Sequence, residues 1–96
     1  MFTVISYDIV DDRRRRRVLA FLKGYGRHVQ GSVFECDLDP VELRAVRRGL
    51  RERIDPHTDD VRFYFLDQAA VRRIRTLGRA RVTADPAYYL VGGSRG

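Results

Sequence analysis

The apolar positions of this chain switch between strand spacing and helix spacing at marked points, giving the order β-α-β-β-α-β over residues 2–66, and that order leaves few folds open. The first segment, Phe2-Thr3-Val4-Ile5-Ser6-Tyr7-Asp8-Ile9-Val10, alternates loosely and is rich in β-branched and aromatic residues, the pattern of a central strand covered on both faces. Asp11 or Asp12 can cap the helix that follows. Its apolar positions Val18, Phe21, Leu22 and Tyr25 fall at i, i+3, i+4 and i+7, and Gly24 and Gly26 stop it. Residues 27–38 read as two strands, with Gly31-Ser32 as a tight turn or a bulge.

Asp39-Pro40-Val41-Glu42 is a helix start, with Asp at the cap, Pro at the first position and Glu at the third, as in a capping box. The helix buries Leu43, Val46, Leu50 and Ile54, turns Arg44, Arg47, Arg48 and Arg51 outward, and ends at Asp55-Pro56. Val61-Arg62-Phe63-Tyr64-Phe65-Leu66 alternates as a strand. A short helical turn with Val71, Ile74 and Leu77 leads to Gly78, and Ala87-Tyr88-Tyr89-Leu90-Val91 is strand-like again, far past the compact unit.

The expected class is α+β: a ferredoxin-like βαββαβ sandwich with two helices on one face of a four-stranded antiparallel sheet. At 96 residues the chain has room for one core, so residues 1–96 form a single domain, with its core in 2–66 and an extension over 67–96. The bare sheet face and the distant strand 87–91 both need a partner edge, which predicts a homodimer completed by strand exchange or edge addition.

Apolar residues make up 44% and charged residues 33%, which argues against a disordered chain, and no apolar run reaches membrane-spanning length. With no signal peptide apparent, the expected location is the cytoplasm, without membrane association. Cys36 is the sole cysteine, which excludes an intrachain disulfide and a Cys-pair metal or redox motif. The formal net charge of +6 points to a polyanionic partner, nucleic acid first among them. Eighteen of the 19 basic residues are Arg, a bias that suits phosphate recognition and that genome composition would also produce.

Asp8 is the first candidate for chemistry, because a carboxylate at the end of a hydrophobic strand is costly to place unless solvated, paired or metal-bound. One carboxylate per chain holds Mg²⁺ weakly, and two Asp8 residues facing each other across a dimer axis would supply a second ligand. Arg13-Arg14-Arg15-Arg16-Arg17 opposes the helix macrodipole at a helix N-terminus, so local stability does not account for it. Arg14 and Arg15 lie on the side of Val18, whereas Arg13, Arg16 and Arg17 lean to solvent. With the arginines of the second helix they form two basic ridges able to grip a duplex by its phosphates. Lys23-Gly24-Tyr25-Gly26 begins like an RNA-recognition signature but ends a helix where that motif needs a strand. His28 and His57 lack partners at metal-ligand spacing.

Tyr7-Asp8-Ile9, the Arg-rich helix start, Tyr25-Gly26 and Val29-Gln30-Gly31-Ser32-Val33-Phe34-Glu35 together resemble the CRISPR-associated Cas-two family. The resemblance covers the whole chain. It implies a homodimer of ferredoxin-like subunits acting as an endonuclease on RNA or double-stranded DNA with Mg²⁺ or Mn²⁺. It also implies a place in the spacer-acquisition complex of antiviral defence, beside the Cas-one integrase. Carried over by position, it makes Asp8 the catalytic and metal-binding aspartate, Arg15 and Arg17 the family's helix-one arginines, and Ser32 and Phe34 its strand-end serine and phenylalanine. Tyr7 stands beside Asp8 in the matching strand. The chain departs from the pattern where many members have an Arg just before the Val-Gln pair, since His28 stands there preceded by Arg27; Arg27 is a further nucleic-acid-binding candidate. The segment 87–91 fits the family's exchanged final strand. The alternative reading is a non-catalytic DNA-binding scaffold for the integrase.

Overall fold

A computed structural model describes residues 1–78. Seven elements follow in order: β1 (Phe2–Asp8), α1 (Asp12–Leu22), β2 (Gly26–Gln30), β3 (Val33–Asp37), α2 (Pro40–Arg53), β4 (Asp60–Leu66) and α3 (Gln68–Arg72). The strands form one antiparallel sheet in the order β2-β3-β1-β4, the ferredoxin-like arrangement expected from the element order. The strand-like segment 87–91 lies outside the described residues.

Side-chain alternation along the sheet separates its two faces. Thr3, Ile5 and Tyr7 of β1 and Phe34 and Cys36 of β3 are buried beneath the helices with Val18, Leu22, Val46 and Leu50. Fully burying a Leu, Ile, Val or Phe contributes about 1.5–3 kcal/mol, so this single layer supplies most of the driving force. The central place of β1 agrees with its sequence, but among the described residues only one of its faces is covered. Val4 and Ser6, on the face away from the helices, are half-buried because among the described residues the helices lie on the other face of the sheet.

Both long helices start as their sequences dictate. Asp11 caps α1 by accepting from the Arg14 backbone N–H at 2.8 Å. Asp39 accepts from Glu42 N at 2.7 Å while Glu42 Oε1 accepts from Asp39 N at 3.0 Å, the reciprocal capping box. Phe21 of α1 packs on Tyr25 just past the helix end, with ring centroids 5.3 Å apart, and the helices meet where the Arg53 guanidinium of α2 lies 4.3 Å from the Phe21 ring centroid. Gly49 makes room for that ring: a Cβ there would come within 2.6 and 2.8 Å of its ring carbons.

The turn-or-bulge question at residues 31–32 resolves into both features at adjacent places. Gly31-Ser32 is the turn, with Gly31 at φ +40, and the register slips between His28 and Gln30, so Val29 is the extra residue of a bulge. His28 Nε2 lies 2.6 Å from the Gly31 carbonyl oxygen, its ring stacked on Phe34 at 5.0 Å. The third helix is shorter than the apolar spacing of Val71, Ile74 and Leu77 implied. It ends at Arg72, and Leu77 is 95% exposed because nothing in the described sheet stands opposite it.

Candidate active site

The end of β1 gathers the candidate residues. Asp8 is the last residue of the strand and is exposed, and the antiparallel register sets it directly opposite Asp60, the first residue of β4. Opposed residues on antiparallel strands share a face of the sheet with Cβ atoms about 4.5–5.5 Å apart. Two carboxylates at that spacing repel each other, and both side chains lie on the face away from the helices, the parity of Val4 and Ser6. Arg62 Nε donates to Asp60 Oδ2 at 3.3 Å, which offsets part of that repulsion.

The loop from β1 to α1 is held from two sides. Arg15 Nη1 donates to the Ile9 carbonyl at 2.8 Å, and its other nitrogen pairs with Asp12. Arg14 forks onto Asp59, with Nε 2.9 Å from Oδ2 and Nη2 3.2 Å from Oδ1. The same carboxylate accepts from Val10 N at 3.1 Å and Asp55 N at 2.8 Å, and its side chain is fully enclosed. The Arg14 guanidinium holds the Asp59 carboxyl well below the usual carboxylate range, against the opposing effect of desolvation, with the Asp55 and Val10 amides assisting.

The five arginines therefore separate as the helical wheel predicts. Arg14 and Arg15 turn inward and are engaged within the fold, while Arg13, Arg16 and Arg17 are exposed. Ser32 approaches from the other side, its carbonyl accepting from Tyr7 N at 3.0 Å, so the β2–β3 turn abuts the β1 terminus. Tyr7 and Phe34 sit beneath this rim, their rings 6.4 Å apart, and Phe34 is fully buried. They shape the strand ends from below and do not meet solvent. Burial pushes the Tyr7 hydroxyl above its ordinary pKa, against the charge of Arg15, so it stays protonated at neutral pH. Arg27 is exposed on β2 opposite Glu35, three residues back from Gln30 and away from the rim.

Asp59 and Asp60 were not singled out by sequence. The only signal was a double acid at the start of a predicted strand, and register alone decides that Asp60 faces Asp8 while Asp59 turns under the loop. Among the described residues no group of three or more His, Cys, Asp or Glu side chains converges. Asp8 with Asp60 thus offers two carboxylates to a divalent cation, the number Mg²⁺ commonly takes from a protein before water and phosphate complete its shell.

The family model for "CRISPR associated protein Cas2" matches residues 1–74. The chain belongs to the Cas2 family. A Chloroflexus aurantiacus relative named CRISPR-associated endoribonuclease Cas2 3 is 53% identical, covering 95% of this chain and 98% of its own. A Synechocystis relative with the same name is 38% identical over 92% of this chain and 96% of its own. The crystal structure of Streptococcus pyogenes Cas2 superposes with a TM-score of 0.73 at 37% identity, covering 81% of this chain and all of that one. The ferredoxin-like sheet and the two long helices are thus the Cas2 fold.

Proposed function

We propose that this Cas2 family member is a metal-dependent endonuclease that hydrolyses phosphodiester bonds of RNA or double-stranded DNA, working in CRISPR spacer acquisition. The observation that carries the reading is the exposed Asp8 at the β1 terminus with Asp60 in register opposite. The name endoribonuclease borne by the Chloroflexus and Synechocystis relatives supports it. Asp8 and Asp60 would hold Mg²⁺ or Mn²⁺, with Asp8 of a second copy as a further ligand. When bound there, the cation supplies charge stabilisation at the attacked phosphate. Arg13, Arg16 and Arg17 bind the flanking backbone by their charge, and Arg14 and Arg15 keep the Ile9–Val10 loop, and with it the Asp8 carboxylate, in position.

The working unit is a homodimer, joined through the helix-free sheet face that bears Val4 and Ser6, with a Cas-one integrase as the further partner. Among the described residues no helix is long and apolar enough to cross a membrane. A second reading has the dimer clamp duplex DNA as a scaffold for the integrase without cutting it. The exposed arginines, which outnumber the carboxylates of the rim, favour that reading.

Cleavage of labelled double-stranded DNA and single-stranded RNA by wild type and Asp8→Asn, with Mg²⁺, Mn²⁺ or EDTA, separates the two. Cutting that needs metal and is lost in Asp8→Asn establishes the nuclease and its substrate. Tight salt-sensitive binding by both proteins with no cutting establishes the scaffold.

A further inference from the structure

The outer face of α2 carries a charge that the fold does not use. Arg44, Arg47, Arg48 and Arg51 stand at i, i+3, i+4 and i+7, share one side of the helix and are all exposed. Other arginines are engaged: Arg14 with Asp59, Arg15 with the Ile9 carbonyl, Arg53 with the Phe21 ring and the Gly49 carbonyl, Arg62 with Asp60. Among the described residues, none of the four on α2 takes part in an ion pair or a side-chain hydrogen bond. Glu42 is occupied in the capping box, and Glu52 lies 3.9 Å from Arg53. Like charges at these spacings destabilise a helix, and of the four only Arg51, in the last turn, gains from the helix dipole, so Arg44, Arg47 and Arg48 carry a cost without an internal return.

We propose that this stripe is a second nucleic-acid contact, a docking surface for the phosphate backbone of a duplex, separate from the carboxylate rim at Asp8. The proposal rests on the nucleic-acid reading above and adds a binding surface to it. The stripe extends about 10 Å along the helix at 1.5 Å per residue, the length of roughly three base-pair steps. Its four guanidinium groups complement phosphate oxygens in charge and in planar geometry. A duplex presents anions at regular intervals along one line, which matches a straight row of cations better than the irregular charges of an acidic protein. The exposed Arg13, Arg16 and Arg17 of α1 belong to the same helical layer, while Asp8 and Asp60 share the opposite face of the sheet. Binding through the stripe therefore holds nucleic acid without delivering that stretch to the carboxylates.

The test is the salt dependence of duplex binding, followed by fluorescence anisotropy with a labelled duplex from 50 to 200 mM salt, for wild type and R44Q/R47Q/R48Q/R51Q. Each phosphate contact contributes about 0.9 to the slope of log affinity against log salt, so losing four lowers it by about 3.6. The fourfold rise in salt then costs the wild type about 150-fold more affinity than it costs the variant. Circular dichroism checks that the variant is folded, and R47Q and R48Q singly, each expected to lower the slope by about 0.9, keep the result readable if it is not. A wild type that binds the duplex with a slope the variant leaves unchanged overturns the stripe and leaves the nucleic-acid reading standing. A wild type that binds neither duplex DNA nor single-stranded RNA at 50 mM salt overturns both.

Discussion

Arg14 closes a two-pronged ion pair on Asp59, and through that one enclosed carboxylate the start of α1, the exit of β1 at Val10 and the α2–β4 loop at Asp55 are tied together. With Arg15 on the Ile9 carbonyl, two of five consecutive arginines are thus committed to holding the loop that follows Asp8. The pair sits at the domain surface with the carboxylate inside and the guanidinium part-exposed, so its contribution depends on geometry more than on isolation from water.

Replacing Asp59 with Asn keeps the shape and removes the charge. The folded-state carboxyl is held below its unfolded value of about 3.9, so its stabilisation is complete above that pH and is lost as pH falls below it toward the folded value. Asp11, whose carboxyl is lowered chiefly by the Arg14 backbone N–H, acts with the same sign. Asp59→Asn should melt several degrees below wild type at neutral pH, with the gap narrowing as pH drops from about 4 toward 2. A gap that stays constant through that range would show that Asp59 contributes by packing alone.

The two sets of arginines on α1 should respond differently. Arg16→Gln with Arg17→Gln leaves the melting temperature unchanged and lowers the salt slope of nucleic-acid binding by up to about 1.8. Arg14→Gln lowers the melting temperature, and by releasing the Val10 loop it reduces the cleavage rate more than the affinity. Equal slopes for the two variants would sink the division of labour.

The cross-strand pair makes a prediction about metal that needs no activity assay. Without metal, Asp60→Asn should be no less stable than wild type, because it removes a like charge opposite Asp8 and weakens only the exposed pairing with Arg62. Titrated Mg²⁺ should raise the wild-type melting temperature, with about 2.7 kcal/mol of stabilisation at one hundred times the dissociation constant, and raise it less in Asp8→Asn and Asp60→Asn. Identical Mg²⁺ responses in all three would remove these carboxylates from the metal site.

Gly26→Ala should be among the more damaging small substitutions. A Cβ at Gly26 would lie 2.6 Å from the Glu35 carbonyl oxygen and press on Cys36 Sγ, and a backbone atom inside a sheet cannot step aside. Overpacking of this kind costs about 1–3 kcal/mol, measurable by urea unfolding. At Gly31, where φ is +40 and nothing stands nearby, alanine should cost less and asparagine least, since only the backbone conformation is strained.

Much of this protein was determined by sequence alone, because its signals are local. The Asp39-Pro40-Val41-Glu42 start, the 3.6-residue spacing of Val18 and Leu22, and the separation of Arg14 and Arg15 from Arg13, Arg16 and Arg17 all follow from the geometry of one helix, and the structure agrees. The order of these elements named the fold, and Tyr7-Asp8-Ile9 with the Val29 to Glu35 string named the family. Tertiary structure decided the relations between distant segments. That Asp60 faces Asp8 depends on strand register, which a shift of one residue would reverse. That Asp59 is enclosed depends on a loop 45 residues from its arginine folding back over α1. That Gly49 must be a glycine depends on the ring Phe21 presents from the neighbouring helix. A residue's own neighbours in the chain fix its helix or strand. Which charge it meets across space is fixed only when the whole sheet has paired.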